Sequence, residues 1–415
     1  MDTLSPPAAP ATHWRSQDRW DIGESSLLLG ALGLRPFFDV TWTARHIPEP
    51  DNNYGGDTTW YNSTELEVAG EAVLYLQSLP RPQAAHAPCL LPHPAASVLS
   101  TGPVGIGDRV TYTNASLVAA ACMRNGTLLK PSRPLAAVDA TFGSRGFAVN
   151  GGASVQQAPA LLQCTSGGGA DACAAPFVTL LIADASAPAV LWPSDLTPDL
   201  SAAARLPGVA GAYAALPWSP GFAAMRAGCV NCSGSSGACT PASCGLRAFA
   251  DASPLNVTTG GADRMPPGET GQPRHPFELL SLSPILAGGW SLLGEVAKFT
   301  RVSPQRFLRV SLLGGSSSGG GLNVTVAGAP DEVVEVTFLV PPAAAASADA
   351  VGSEAPPEAQ APSGDASPFT FAAGSSLQTV SWAFGPTGGL IEVACSAAAG
   401  SSSVPGCVAA VATPV

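Results

Sequence analysis

Hydrophobic and polar positions change rhythm near residue 134. Ahead of that point, apolar residues recur at helical spacing between loops. A first helix is predicted over 24–32, with Gly33 at its C′ position and Pro36 preventing its continuation. Residues 37–43 (FFDVTWT) turn into an extended segment, and 46–60 form a Pro/Asn/Gly loop. A second helix opens on the capping box Thr64 and Glu67, carries the stripe Leu66, Ala69, Val73, Leu76, and ends at Pro80. A short apolar strand over 95–99 breaks at Gly102-Pro103, and the following loop carries one acid, Asp108, beside Gly105 and Gly107. A helix is predicted from about Asn114, with Thr113 as its N-cap. A strand whose C-terminal loop presents an acid and leads into a helix is a β/α-barrel unit, here the last before a β domain.

Beyond 134 the apolar runs are short, alternating or continuous, and bounded by Gly, Pro and Ser. Those over 177–183, 306–313, 322–327, 332–339 and 390–394 read as strands of a β-sandwich. Leu322, Val324 and Val326 alternate with Asn323, Thr325 and Ala327, the pattern of a half-solvated face. Residues 341–368 are rich in Ala, Pro, Ser and Glu and read as a disordered insert between two strands. The expected fold is α+β and mainly β: the remnant of the last units of a (β/α)8 barrel, then a C-terminal antiparallel β-sandwich. Its boundaries are a disordered 1–18, a partial barrel over 19–133 and the β-sandwich over 134–415.

The stretch over 100–142 also carries a resemblance. Its order Gly-Pro-Val, Asp108, Asn114, Leu117, Gly126, Leu129, Pro134, Asp139 and Phe142 resembles the raffinose synthase and alkaline α-galactosidase family. The block over 25–42 (SSLLLGALGLRPFFDVTW) is similar to that family's helix and the P-x-x-D-x-x segment after it. Downstream, 277–285 (FELLSLSPI) and 290–299 (WSLLGEVAKF) resemble blocks of its C-terminal β domain. The resemblance implies an α-galactoside oligosaccharide as partner of the full-length parent, no cofactor, and retaining cleavage or galactosyl transfer by two carboxylates. The family carries these in a Lys-x-Asp motif and an Arg-x-Ser-Asp-Asp motif. No Lys-x-Asp occurs here, and the nearest trace of the second, Arg15-Ser16-Gln17-Asp18, lacks the paired acids. The isolated chain is therefore expected to be inactive, with a non-catalytic carbohydrate-binding or wall-associated glycoprotein as the alternative.

Weak catalytic candidates remain. Asp18 is either a surviving general acid or a solvated residue of the terminus. Asp108 stands either where a barrel loop meets a sugar hydroxyl or as a cap on the next helix or turn. Trp20 and Trp42 are either sugar-stacking residues or core tryptophans. Gly315-Ser316-Ser317-Ser318-Gly319 matches the G-x-S-x-G elbow only formally, because it lies in a Gly/Ser linker with no helix after it. The five histidines (His13, His46, His86, His93, His275) have no metal spacing, and no phosphate-binding loop is present.

Composition adds a compartment. Nine Asn residues occur, and six sit in N-x-Ser/Thr sequons: Asn62, Asn114, Asn125, Asn231, Asn256 and Asn323. At this Ser and Thr content, chance would give about one or two. Ten cysteines, an even number, fit an oxidising compartment. Cys164 and Cys173 bracket one flexible loop, Cys395 and Cys407 another, and each is expected to pair within itself. Cys229, Cys232, Cys239 and Cys244 resemble zinc spacing, but two local disulfides fit a Gly/Ser loop holding a sequon better. Cys89 and Cys122 are left to pair across the last barrel unit.

These features point to the secretory pathway, although residues 1–20 have no apolar core or cleavage pattern of a signal peptide. Together with the barrel units a closing unit needs before it, that suggests the C-terminal part of a longer protein or a truncated gene product. The net charge of −11 argues against nucleic acid, and no apolar run reaches the length of a membrane span.

Overall fold

The computed structural model describes residues 38–41, 98–102, 104–106, 115–141, 154–165, 172–183, 189–198, 209–218, 245–257, 277–313, 321–342, 371, 375–396 and 406–413. These residues are mainly β. β1 (Phe38–Thr41) and β2 (Val104–Ile106) pair in parallel, Phe38 beside Val104 and Thr41 beside Ile106. Helix α1 (Ala115–Ala121) follows, then β3 (Ala136–Ala137), β4 (Ser154–Thr165), β5 (Ala172–Ala183), β6 (Ala189–Leu191), β7 (Val209–Trp218), β8 (Arg247–Ala250) and β9 (Leu255–Val257). The remaining strands are β10 (Phe277–Leu286), β11 (Ser291–Gly294), β12 (Phe307–Leu313), β13 (Gly321–Gly328), β14 (Val333–Val340), β15 (Ser376–Ala383), β16 (Gly389–Ser396) and β17 (Gly406–Thr413).

A ten-stranded sheet runs β17-β16-β13-β12-β4-β5-β10-β7-β8, with β3 paired to β4. Its neighbours are antiparallel except β12 and β4, which run parallel. β11-β14-β15 form a second antiparallel sheet and β6-β9 a two-stranded one. Successive strand residues face opposite sides, so Phe177 and Val178 of β5 enter different cores. On the Phe177 side, Val334, Val336 and Phe338 of β14 meet Val310, Val324, Val326 and Val393. On the Val178 side, Leu191, Leu255 and Val257 of the β6-β9 pair meet Leu180, Ile182, Tyr213 and Leu280. α1 buries Leu117, Ala120 and Ala121, an i, i+3, i+4 face, against Leu181, Leu279 and Phe299.

The strands expected over 177–183, 306–313, 322–327, 332–339 and 390–394 fall on β5, β12, β13, β14 and β16. The helix expected from Asn114 is α1, and the extended segment over 37–43 contains β1. The strand expected over 95–99 is corrected. Val98 and Leu99 are helical, Ser100 turns, and the extended residues are Val104–Ile106. Val98 and Leu99 are fully buried beneath the large sheet, so their apolar run marks burial and not strand. Of the insert expected over 341–368, residues 343–368 lie outside the described residues, as do both expected N-terminal helices.

Cys395 and Cys407 face each other across β16 and β17 and are disulfide-bonded. Cys164 is also in a disulfide, and the register of β4 and β5 sets Cys173 opposite it. Cys122 corrects an expectation, because it is a free thiol and not the partner of Cys89. Its Sγ donates to the Val118 carbonyl at 3.1 Å, one helical turn back, and burial pushes its pKa up.

Two outcomes follow from this geometry. Gly294 closes β11 at φ 78, and a Cβ there would lie 2.3 Å from the Arg301 carbonyl oxygen. Gly294→Ala is expected to cost about 2–4 kcal/mol, combining left-handed strain with overpacking. Urea unfolding should show a lower midpoint at unchanged slope. Replacing both Cys395 and Cys407 by Ala is expected to cost about 3 kcal/mol, the loop-closure value for a bridge of this span. A non-reducing peptide map should recover the Cys395–Cys407 pair.

Candidate functional site

Of the residues the sequence singled out, Asp18, Trp20, Trp42 and Asp108 lie outside the described residues, as do Asn62, Asn114, Asn231, Cys89, Cys229, Cys232, Cys239 and Cys244. The structure does place the strands that lead to two of them. Trp42 is the next residue after β1, and Asp108 the second after β2. The parallel register sets Thr41 beside Ile106, so both strands end at the same edge of the pair.

Charge chemistry among the described residues concentrates in the loop between β11 and β12. Arg306 has no exposure to water. Its Nε donates to Glu295 Oε2 at 2.8 Å, its Nη1 to Glu332 Oε2 at 2.9 Å, and its Nη2 to Glu332 Oε1 at 2.5 Å. Nη1 also donates to the Ala327 carbonyl at 2.7 Å. Glu332 further accepts the backbone N–H groups of Arg124 and Ala329.

The two carboxylates respond in opposite directions. Burial pushes Glu332 up, but the Arg306 hydrogen bonds and the Ala329 N–H outweigh it and hold the pKa below its ordinary value. For Glu295 burial wins over the charge and hydrogen bond of Arg306, and the pKa is raised. Two carboxylates thus meet, but a guanidinium fills the space between them and solvent is shut out. The arrangement fastens loops together and leaves no place for a substrate.

The same loop completes α1. Phe299 N–H donates to the Ala120 carbonyl, and Lys298 Nζ donates to the carbonyls of Ala119 at 2.6 Å and Cys122 at 2.8 Å. Leu129 N–H takes the Ala121 carbonyl. The carbonyls left over at the helix end therefore find donors nearby, at Leu129, and on Lys298 and Phe299, about 180 residues away in the chain. Ser303 Oγ donates to the Lys130 carbonyl, and Lys130 N–H donates to Gln305 Oε1. Arg301, fully buried, donates to the carbonyls of Leu216 and Pro217 at the end of β7, and burial pulls its pKa down to about 9. No local sequence signal marks this hub. Only the block over 290–299 pointed toward it, through the family resemblance.

Three sequons are described. Asn125 is exposed on a turn, where its Oδ1 accepts the Thr127 N–H at 3.1 Å. Asn256 is exposed in the middle of β9. Asn323 is half-buried in β13, with Oδ1 buried and unpartnered and Nδ2 reaching Glu392 at 3.4 Å. Among the described residues no group of His, Cys, Asp or Glu could hold a metal ion, and no helix is long and apolar enough to cross a membrane.

Compared with known proteins, the chain matches no family model and no curated protein sequence.

The opposite shifts of Glu295 and Glu332 give opposite pH slopes. A depressed carboxylate pKa contributes stability above the unfolded value, and that contribution is lost as pH falls through the folded one. The stability gap between the parent and Glu332→Gln should therefore narrow on acidification below about pH 4.5. A raised pKa has the reverse sign, so the gap to Glu295→Gln should widen as the pH falls from neutrality through it. At pH 7 Glu332→Gln should cost about 3–5 kcal/mol, since it leaves a buried guanidinium short of charge, and Glu295→Gln should cost less. Urea unfolding at several pH values reads both slopes.

Proposed function

We propose that this chain is part of a secreted glycoside hydrolase-like protein of the raffinose synthase and alkaline α-galactosidase type. It carries the last barrel units and a C-terminal antiparallel β-sandwich, and has no turnover of its own. In the full-length parent the substrate class is an α-galactoside oligosaccharide, cleaved or transferred with retention.

The observation that carries this reading is the parallel pairing of β1 with β2, two strands joined by the 62 residues between Thr41 and Val104. Parallel neighbours require a crossover connection, and in a β/α barrel the sugar-facing residues follow the C-terminal ends of the strands. Trp42 and Asp108 follow those ends here. The blocks that resemble the family are also joined in space. Phe299 and Lys298 of the 290–299 block cap the helix of the 100–142 block. Inactivity follows from the missing Lys-x-Asp and Arg-x-Ser-Asp-Asp motifs, because a retaining glycosidase needs two carboxylates about 5 Å apart across the scissile bond.

Two measurements test the proposal. The purified chain should release no phenol from an aryl α-galactoside; turnover that disappears on Asp108→Asn would overturn the inactive assignment. The transcript upstream of the Met1 codon should encode both motifs in frame. A frame that lacks both would remove the glycosidase parent.

A further inference from the structure

Outside the buried charge hub, one exposed patch combines apolar side chains with a modification signal. In the β6-β9 pair, Val190 stands opposite Asn256, between the inward pairs Ala189–Val257 and Leu191–Leu255. Leu191, Leu255 and Val257 are buried in the core, so the intervening residues face outward. Val190 is 48% exposed and Asn256 is exposed. The chain remains extended through Trp192, at φ −108 and ψ 154, which keeps Trp192 on the side of Val190. Trp192 is 43% exposed. Two of the four large apolar side chains described as exposed thus flank one sequon, Asn256-Val257-Thr258.

The support beneath this patch is fixed. Arg247 donates to the Asn256 carbonyl at 3.3 Å and to Glu278 Oε1 at 2.8 Å, tying β9 to β8 and β10. The Asp195 carboxylate accepts the Trp192 N–H at 2.7 Å. Directly opposed residues of an antiparallel pair have Cβ atoms about 5 Å apart, and the diagonal neighbours lie about 7–8 Å away. That is the reach of the first sugar on an asparagine amide. Among the described residues the Asn256 side-chain amide has no hydrogen-bond partner that a glycan would displace, in contrast to Asn323, whose Nδ2 faces Glu392.

We propose that Asn256 carries an N-glycan whose first N-acetylglucosamine lies over Val190 and Trp192, its apolar ring face against the indole. The glycan is the cover for this patch. The inference rests on the secretory reading given under Proposed function and adds to it a site and a role for the sugar.

The test uses the full 415-residue chain behind a cleavable signal peptide in a eukaryotic host. Glycopeptide mapping should find Asn256 occupied. Thr258→Ala removes the acceptor signal while leaving Asn256 in place, and should lower Tm by about 2–4 °C. In a double-mutant cycle, Trp192→Ala should abolish most of that difference and Val190→Thr should reduce it. A purely structural role for Trp192 would leave the Thr258→Ala difference unchanged. Val190→Thr keeps the cycle readable if Trp192→Ala fails to fold. An empty Asn256 beside an occupied Asn125, or a Thr258→Ala difference insensitive to both patch variants, overturns this inference alone. No sugar at any sequon overturns it together with the secretory reading.

Discussion

A guanidinium sealed from water has to be met by acceptors on every side, and Arg306 draws four stretches of chain together to satisfy that need. Glu295 comes from the end of β11, Ala327 from β13, Glu332 from the turn before β14, and Arg124, through Glu332, from the turn after α1. Such a cluster need not add net stability, since desolvating the charges offsets much of their attraction. Its effect is on specificity. An alternative packing of these loops would leave an unpaired buried charge, which is costly, so the loops are confined to one arrangement. Glu295 and Glu332 divide the work unequally: Glu332 takes the bidentate bond and two backbone donors, and Glu295 takes a single bond from Nε and bears more of the desolvation.

Placing the hub at this point has consequences for both sheets. β11 and β14 belong to the three-stranded sheet and β12 and β13 to the ten-stranded one, so Arg306 and its partners cross from one layer to the other. Earlier in the same loop, Phe299 and Lys298 close the end of α1. A single loop therefore holds the helix, the covering sheet and the large sheet. Gly294 is what allows the loop to leave β11 so tightly, passing against the Arg301 backbone where no Cβ fits.

Sequence pattern found β13 by its alternation and the doubly buried β5 by its continuous run of large apolar residues, but it missed β4 and β7. β13 alternates buried and half-exposed residues and was plain to see. β4 (SVQQAPALLQCT) and β7 (VAGAYAALPW) are buried on both faces along much of their length, under α1 and the covering sheet on one side and the β6-β9 pair on the other. Double burial erases alternation. The close layers also favour Ala, a weak strand former, so propensity is silent too. The Cys395–Cys407 bridge was legible because a short loop between two cysteines is cheap to close, whereas Cys122 found a helical carbonyl and stayed free. The buried cluster was not legible, because Arg306 and Glu332 look in sequence like ordinary polar residues at strand ends. Only the fold shows that their heads point inward. The sugar-site candidates Asp18, Trp20, Trp42 and Asp108 have no described surroundings, and only the strands before Trp42 and Asp108 locate them.

The position of the hub also accounts for how so wide a sheet holds together. The ten strands fall into two antiparallel groups, β4-β5-β10-β7-β8 with β3 on β4, and β12-β13-β16-β17, joined where β12 lies parallel to β4. That seam is short, with Arg309, Val310 and Ser311 opposite Gln163, Cys164 and Thr165, and a parallel ladder is slightly weaker per residue than an antiparallel one. It is also nonlocal, so closing it costs chain entropy that the local hairpins do not. Hydrogen bonds across the seam alone would be a poor clasp. Arg306 stands at the head of β12, and Ser303 and Gln305, just before it, bind Lys130, which leads to β3 and through it to β4. Ser132, in the same run, accepts the Leu161 N–H of β4 through its hydroxyl. The two groups are thus tied at one end of the seam by the loop that the buried charges fix, while the disulfide at Cys164 constrains β4 beside Val310 at the seam's middle.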